Sequence, residues 1–357
     1  MMYRFLFIAF VYTPMAYAEI EMPDDENREE RYEEFFDNVL VPFWKKGSNA
    51  FVKSHDGKDL VYRGYPSDPA AGETKGNVLI VHGFTEMMPK YIETVWDLHK
   101  VGYTVYIFEQ RGHGYSYRET AIPGLAHVQE FASYVKDVEA VAKQLFDSNL
   151  PNFYLGHSMG ALVSLGHLYS YSGLFQGAFL SSPLVDTKYP VPKWLANPFV
   201  NAWCYIQGEE NFAPLQKRPP PVPYKYNKRS GTNSLPRFHK VENLLVEEGY
   251  DQKRRVQGAS CAWVKTIGQF QDIIRTKEAI AKIKVPIIIA QAGQDFYVMP
   301  EAQAAFCKEH YNCKLLRFAD SRHELYRSKD KSRKRWISEL ISFFDKISNE
   351  AKKQSEK

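Results

Sequence analysis

The chain lacks several features that would have settled its class early. It is 357 residues long with only 4 Cys, and neither C-x-x-C nor H-E-x-x-H spacing occurs, so no metal site is expected. No internal repeat recurs, which excludes solenoids and propellers. The Pro219–Pro223 cluster is the one biased tract. The formal net charge is +4, too small to argue for a nucleic-acid partner. Beyond residue 18, no apolar run reaches the roughly 20 residues of a spanning helix. What is abundant is core material: 44% of residues are hydrophobic and 15% aromatic. That composition excludes a disordered chain, and the length suits one large α/β domain carrying an insertion.

Residues 1–18 read as a secretory signal peptide. Arg4 supplies a positive start, Phe5 to Tyr12 an apolar stretch, and Ala16-Tyr17-Ala18 a small-x-small cleavage site before Glu19. A membrane anchor is the competing reading, but Phe5–Ala18 is short and contains Pro14. The expectation is an exported protein, periplasmic or secreted. In an oxidising compartment an even cysteine count suggests disulfides. Cys204–Cys261 is expected within one inserted region, and Cys307–Cys313 across a short helix-to-strand loop.

Residues 19–48 form an acidic segment, read as a solvated helical arm. Ala50–Lys53 and Asp59–Tyr65 form a first hairpin turned at Asp56-Gly57. Strand-like runs then alternate with helical periodicity. The strands are Val78–His82, Tyr103–Phe108, Phe153–Gly156, Ala178–Ser181, Val285–Ala290 and Leu315–Phe318. Helices are expected near 90–100, 128–147, 159–172, 269–282, 300–310 and Ser332–Ile347. Continuously apolar strands between helices imply a mainly parallel sheet covered on both faces. The core divides into residues 49–182 and 266–348, with 349–357 as a basic tail. Between them, 183–265 breaks the alternation and reads as an inserted lid.

Gly156-His157-Ser158-Met159-Gly160 follows a strand and opens a helix of small and apolar residues. A G-x-S-x-G in that context is a nucleophile elbow, with both glycines required by close packing and the hydroxyl standing above the sheet. A serine hydroxyl needs an adjacent base, and the base needs an orienting group. In doubly wound hydrolases the chain order is Ser, acid, His. Asp295 follows one apolar strand and His323 follows the next, so Ser158, Asp295 and His323 are the candidate triad. Asp320 is the rival acid, but it shares a loop with His323. His157 is expected to point away from the nucleophile as a packing residue. Oxyanion donors should be the backbone N–H groups of Met159 and Phe84.

These motifs carry a resemblance. His82-Gly83-Phe84, Arg111-Gly112-His113-Gly114-Tyr115-Ser116, Gly156–Gly160, Gly293-Gln294-Asp295 and His323-Glu324 resemble the α/β-hydrolases of the monoacylglycerol lipase and bacterial lysophospholipase group, within the serine aminopeptidase-like hydrolase superfamily. The resemblance spans about residues 78–324 and implies the α/β-hydrolase fold with a cap, serine ester hydrolysis and no cofactor. It departs at Glu109, where the family usually has Asp.

Within 211–241 lie Lys217, Arg218, Lys225, Lys228, Arg229, Arg237 and Lys240 but no acid, and Lys253, Arg254 and Arg255 follow. Aromatic residues are interleaved. Lys217, Arg218, Lys225, Lys228 and Arg229 are therefore candidates for binding a phosphate head group or an anionic membrane surface. The expected function is release of fatty acid from a lysophospholipid by a monomeric enzyme at a membrane surface, with no nucleic-acid partner. Alternatives on the same machinery are a monoacylglycerol lipase, a carboxylesterase or a peptidase. A non-catalytic lipid-binding protein is the alternative of another class.

Overall fold

The computed structural model describes residues 28–146, 149–188, 193–216 and 221–355. The signal-peptide reading of residues 1–18 therefore lies outside the described residues, as do Lys217 and Arg218. The described chain enters through α1 (Tyr32–Phe35), a π-helical turn (Phe36–Leu40) and α2 (Val41–Lys46). This segment is not a solvated arm. Tyr32, Phe35, Phe36, Leu40, Phe43 and Trp44 are buried against the body, while Glu30, Glu33, Glu34 and Asp37 stay exposed. Each such side chain contributes roughly 1.5–3 kcal/mol on burial. The acids do not oppose docking, because the helical period turns them to solvent.

A turn at Asp56-Gly57 joins β1 (Ala50–Lys53) to β2 (Asp59–Tyr65) as an antiparallel hairpin. The chain continues through β3 (Gly76–Val81), α3 (Ile92–Lys100), β4 (Tyr103–Phe108), the short β5 (Leu125–Ala126) and α4 (Ala132–Leu145). Then follow β6 (Asn152–His157), α5 (Met159–Ser170) and β7 (Gly177–Ser181). After residue 182 come α6 (Lys193–Gln207), α7 (Leu235–Glu247) and the short β8 (Gly258–Ala259). The chain closes with α8 (Cys261–Ile274), α9 (Lys277–Lys282), β9 (Ile287–Ala292), α10 (Pro300–Glu309), β10 (Cys313–Phe318) and α11 (Asp330–Ser355).

Two expectations shift. The helical stretch near 269–282 is two helices: α8 begins already at Cys261, and Thr276 breaks the run by capping α9, accepting the Ala279 amide. The last helix runs on to Ser355, so the described part of the basic tail continues α11.

Eight strands form one sheet in the order β1-β2-β4-β3-β6-β7-β9-β10. The pairs β1–β2 and β2–β4 are antiparallel, and the rest are parallel. Alternate residues of β3 enter different cores. Leu79 and Val81 pack with α4 and α5, whereas Val78 and Ile80 pack with α1, α3 and α11. Both faces are thus covered, which is why the strand is apolar from Val78 to Val81. From β3 the chain moves outward to β4, then returns to place β6 on the other side of β3. Such a reversal opens a crevice at the carboxyl ends of the strands, and ligands of open α/β sheets bind there.

Cys204 is joined to Cys261 and Cys307 to Cys313, with Cα separations of 5.5 and 5.2 Å. The first bond ties α6 to the start of α8. No helix among the described residues is long and apolar enough to cross a membrane.

Candidate active site

The crevice receives its first group from the turn between β6 and α5. Ser158 takes φ 52°, ψ −116°, a conformation L-residues rarely adopt. Its amide donates to Ser181 O on the neighbouring strand, and its own carbonyl accepts from Leu162 and Leu184. The flanking glycines are obligatory. A Cβ at Gly156 would lie 2.7 Å from Ala161 Cα, and one at Gly160 would lie 2.0 Å from Val81 O. The second approach presses α5 against the end of β3, so the elbow and the His82-Gly83-Phe84 loop become neighbours.

Two more groups arrive from loops after adjacent parallel strands. β9 and β10 pair in register from Ile287↔Cys313 to Ala292↔Phe318. The loops beyond them run side by side, and a Cβ at Gly293 would meet Ala319 O at 2.5 Å. Across this contact His323 Nδ1 lies 2.6 Å from Asp295 Oδ2. Asp295 Oδ1 accepts the amides of Tyr297 (2.8 Å) and Val298 (3.2 Å). Burial pushes the Asp295 carboxyl up, but His323 and these amides outweigh it and hold the group below its ordinary value. A charged Asp295 accepts a hydrogen bond from Nδ1–H, which keeps the proton on Nδ1 and leaves Nε2 of His323 with a lone pair. Asp320 is exposed and pairs with Lys331 instead, so it is not the partner of this imidazole.

The backbone of His323 is held as well. Its carbonyl accepts Ser182 Oγ at 2.8 Å and lies 3.2 Å from His157 Nε2. Ser182, at φ 45°, is another of the few non-glycine residues with positive φ. His323 thus hangs from the residue preceding Ser158 and from the residue just after β7.

The loop after β3 is pinned at several carbonyls. His82 Nε2 accepts the Gln110 amide at 3.1 Å, so its Nδ1 carries the proton and donates to Gly83 O at 2.8 Å. Gln110 Nε2 donates to His82 O, and His113 Nε2 lies 2.5 Å from Phe84 O. Burial keeps both imidazoles neutral, His82 down at about 4 and His113 at about 3. Glu109, the departure from the family pattern, is buried, accepts Tyr115 N and Tyr250 OH at 2.6 Å each, and has its carboxyl pushed up by burial.

Sequence reasoning missed the groups beneath the site. His157 is buried, but both its ring nitrogens are engaged: Nδ1 lies 3.0 Å from Glu86 Oε2. Burial pushes the imidazole down, yet the Glu86 carboxylate outweighs it and raises the group above its ordinary value. Glu86 itself accepts the Gly83 amide at 2.6 Å. Nothing in the local pattern marks Glu86 as the partner of a residue 71 positions away.

The basic stretch divides into structural and exposed cations. Arg237 is buried against Glu93 and Asp330, Arg255 against Glu242, and Lys240 pairs with Asp37. These hold the fold. Lys225, Lys228 and Arg229 remain exposed. His55, Asp56 and Asp137 cluster closely enough to suggest a metal, but the Arg111 guanidinium already bonds both carboxylates.

Known proteins share this chain's family and fold. The chain is 25% identical over 327 residues to the probable lysophospholipase L2 of Haemophilus influenzae, covering 89% of this chain and 98% of that one. It is 24% identical over 342 residues to lysophospholipase L2 of Escherichia coli K12, covering 91% and 96%. A soluble variant of monoglyceride lipase from Saccharomyces cerevisiae, solved with a substrate analog, superposes with a TM-score of 0.66 at 18% identity, covering 84% of this chain and 96% of that one. Residues 72–330 match the family Hydrolase_4, serine aminopeptidase S33. With an α/β-hydrolase fold and a match over most of its length, the chain belongs to this serine hydrolase family.

Proposed function

We propose that the protein is an exported lysophospholipase in which Ser158, His323 and Asp295 act as the triad. The observation that carries this reading is the 2.6 Å contact of His323 with Asp295, hung beside a strained serine elbow. Ser158 Oγ attacks the ester carbonyl. His323 Nε2 takes the hydroxyl proton and passes it to the leaving glycerol oxygen. Asp295 fixes the imidazole tautomer and stabilises the imidazolium. The amides of Met159 and Phe84 hold the oxyanion, with Met159 heading α5, where the first N–H groups lack intrahelical partners. Water activated by the same imidazole then releases the fatty acid.

The head-group assignment rests on one loop. Arg322 Nη1 lies 3.2 Å from Asn227 O and 3.1 Å from Thr232 O, the Glu324 amide donates to Gly231 O, and Tyr297 OH donates to Arg229 O. Tyr297 also packs its ring 5.0 Å from that of His323. The loop carrying Lys225, Lys228 and Arg229 is therefore stitched to the histidine loop, which supports reading these three exposed residues as a cationic rim. A phosphate monoanion suits that rim; a neutral glycerol does not require it. Residues 183–265 act as the cap. On α6, Leu195, Phe199, Trp203 and Ile206 recur along one exposed face. That face and the cationic loop suit an anionic lipid surface, each nearby cation adding about 1 kcal/mol. Two disulfides fit an oxidising compartment.

A hydrolysis panel tests this reading: lysophosphatidylethanolamine, lysophosphatidylcholine, monoacylglycerol, a short p-nitrophenyl ester and an aminoacyl amide. Fatty acid release is expected to be fastest from the lysophospholipids. Release from monoacylglycerol alone would replace the reading with a monoacylglycerol lipase.

A further inference from the structure

Ester hydrolysis does not call for the buried charges that lie under this site. Glu86, Lys90, His157, Glu324 and Arg327 are all buried. Tyr91 and Tyr326 stack with ring centroids 4.4 Å apart, and both donate to the Glu86 carboxylate, Tyr91 to Oε2 at 2.5 Å and Tyr326 to Oε1 at 2.6 Å. Glu86 Oε2 also accepts the Gly83 amide and faces His157 Nδ1. Lys90 Nζ lies 3.3 Å from Glu86 and 2.6 Å from Glu324, which in turn pairs with Arg327 at 3.0 Å. Replacing buried ionic groups with apolar packing is often neutral or stabilising. Stability alone is thus a weak reason to keep this cluster here.

The contacts of Glu86 connect the site. Gly83 belongs to the loop that carries Phe84. His157 immediately precedes Ser158 and, through Nε2, reaches the carbonyl of His323. Held by Glu86 on Nδ1, the ring offers a proton at each nitrogen, and the second goes to His323 O. We propose that Glu86 is a positioning residue for the hydrolysis, registering the oxyanion loop through the Gly83 amide and the general base through the His157 ring. The inference rests on the triad reading given above. Its physical content is that one carboxylate sets the relative placement of three segments distant in sequence. Errors of an ångström in such placement cost about 100-fold in rate.

Loss of the carboxylate should therefore lower kcat and leave KM nearly unchanged, since Glu86 is buried and its oxygens are engaged by Gly83, Tyr91, His157 and Tyr326. Glu86→Gln, His157→Gln and the double variant are to be compared in the purified protein. The measurements are steady-state rates on lysophosphatidylethanolamine and a p-nitrophenyl ester, normalised to sites labelled by a fluorophosphonate probe. Each single change is expected to reduce kcat about 10- to 100-fold with KM within about twofold. The double variant should be about as slow as the worse single, because both act through one chain of contacts. An unchanged kcat per labelled site with only a lowered Tm would overturn the inference, as would a raised KM at constant kcat or fully additive losses. Should Glu86→Gln fail to fold, Tyr326→Phe removes one of the bonds that hold the carboxylate; a smaller kcat loss at constant KM is expected, and an unchanged kcat is adverse. If the wild type itself fails to react with the probe at Ser158, the triad reading fails instead.

Discussion

His323 and Asp295 meet at 2.6 Å, and the carbonyl of the same histidine is tied back to His157 and Ser182. The imidazole is therefore constrained at both its ring and its backbone. Asp295→Asn should reduce kcat roughly 10³- to 10⁴-fold by favouring the wrong tautomer. Far-UV circular dichroism should be unchanged. A variant retaining more than a tenth of the rate would argue against Asp295 as the orienting group.

Ser158→Ala should abolish turnover without loss of fold. Ser158→Gly should do the same and also raise Tm, because glycine accepts φ 52°, ψ −116° without the roughly 1–3 kcal/mol of strain carried by a side-chain-bearing residue. Thermal melts of the two variants separate the effects, and a lower Tm for the glycine variant would show that the elbow is not strained.

Gly160→Ala places a methyl group 2.0 Å from a β3 carbonyl. Since backbone lies on both sides, no side chain can swing away. Destabilisation of more than about 3 kcal/mol is expected, visible as insoluble expression or a collapsed urea midpoint. A soluble, active Gly160→Ala enzyme would contradict the packing described for the elbow.

Acid should weaken the fold through His82 and His113. Their native values, about 4 and about 3, lie below the ordinary imidazole value. As pH drops below about 6.5, the unfolded chain takes protons that the native state refuses, so stability falls until the native groups titrate. The loss is roughly 3–5 kcal/mol for each. His157 works in the other direction: its raised value gives a contribution that is full below about 6.5 and lost as pH rises through the native value. Urea midpoints between pH 4 and 7 should fall toward acid, and His82→Gln should flatten the slope. Equal slopes in the two proteins would deny that His82 is buried neutral.

The cationic rim makes a salt-dependent prediction. Replacing Lys225, Lys228 and Arg229 together by Ala should weaken binding to phosphatidylglycerol vesicles about 10- to 100-fold at low salt and raise KM for lysophospholipids. Hydrolysis of the p-nitrophenyl ester should change little. Vesicle binding that ignores both salt and these substitutions would remove electrostatics from the account.

Much of this was legible locally. The Asp56-Gly57 turn marked the hairpin, continuous apolar runs marked the buried strands, and Gly-x-Ser-x-Gly between a strand and a helix marked the elbow. Asp295 and His323 could be chosen because each follows an apolar strand, and strands adjacent in a parallel sheet bring their following loops together. Charge was far less legible. Arg237, Lys240 and Arg255 lie in or just after a stretch without acids, but Glu93, Asp37 and Glu242 claim them. The acidic segment after residue 19 looked solvated because composition was weighed there without its helical period.

The order of residues alone determined the strand and helix alternation, the obligatory glycines and the chain order of the proposed nucleophile, acid and base, because these depend on neighbours a few positions apart. Tertiary structure decided which cations face solvent, that α1 and α2 complete a core, and that Glu86 lies under Gly83 and His157. Those outcomes depend on partners brought together from across the chain, and a charge becomes structural or functional only once its counter-charge is in place.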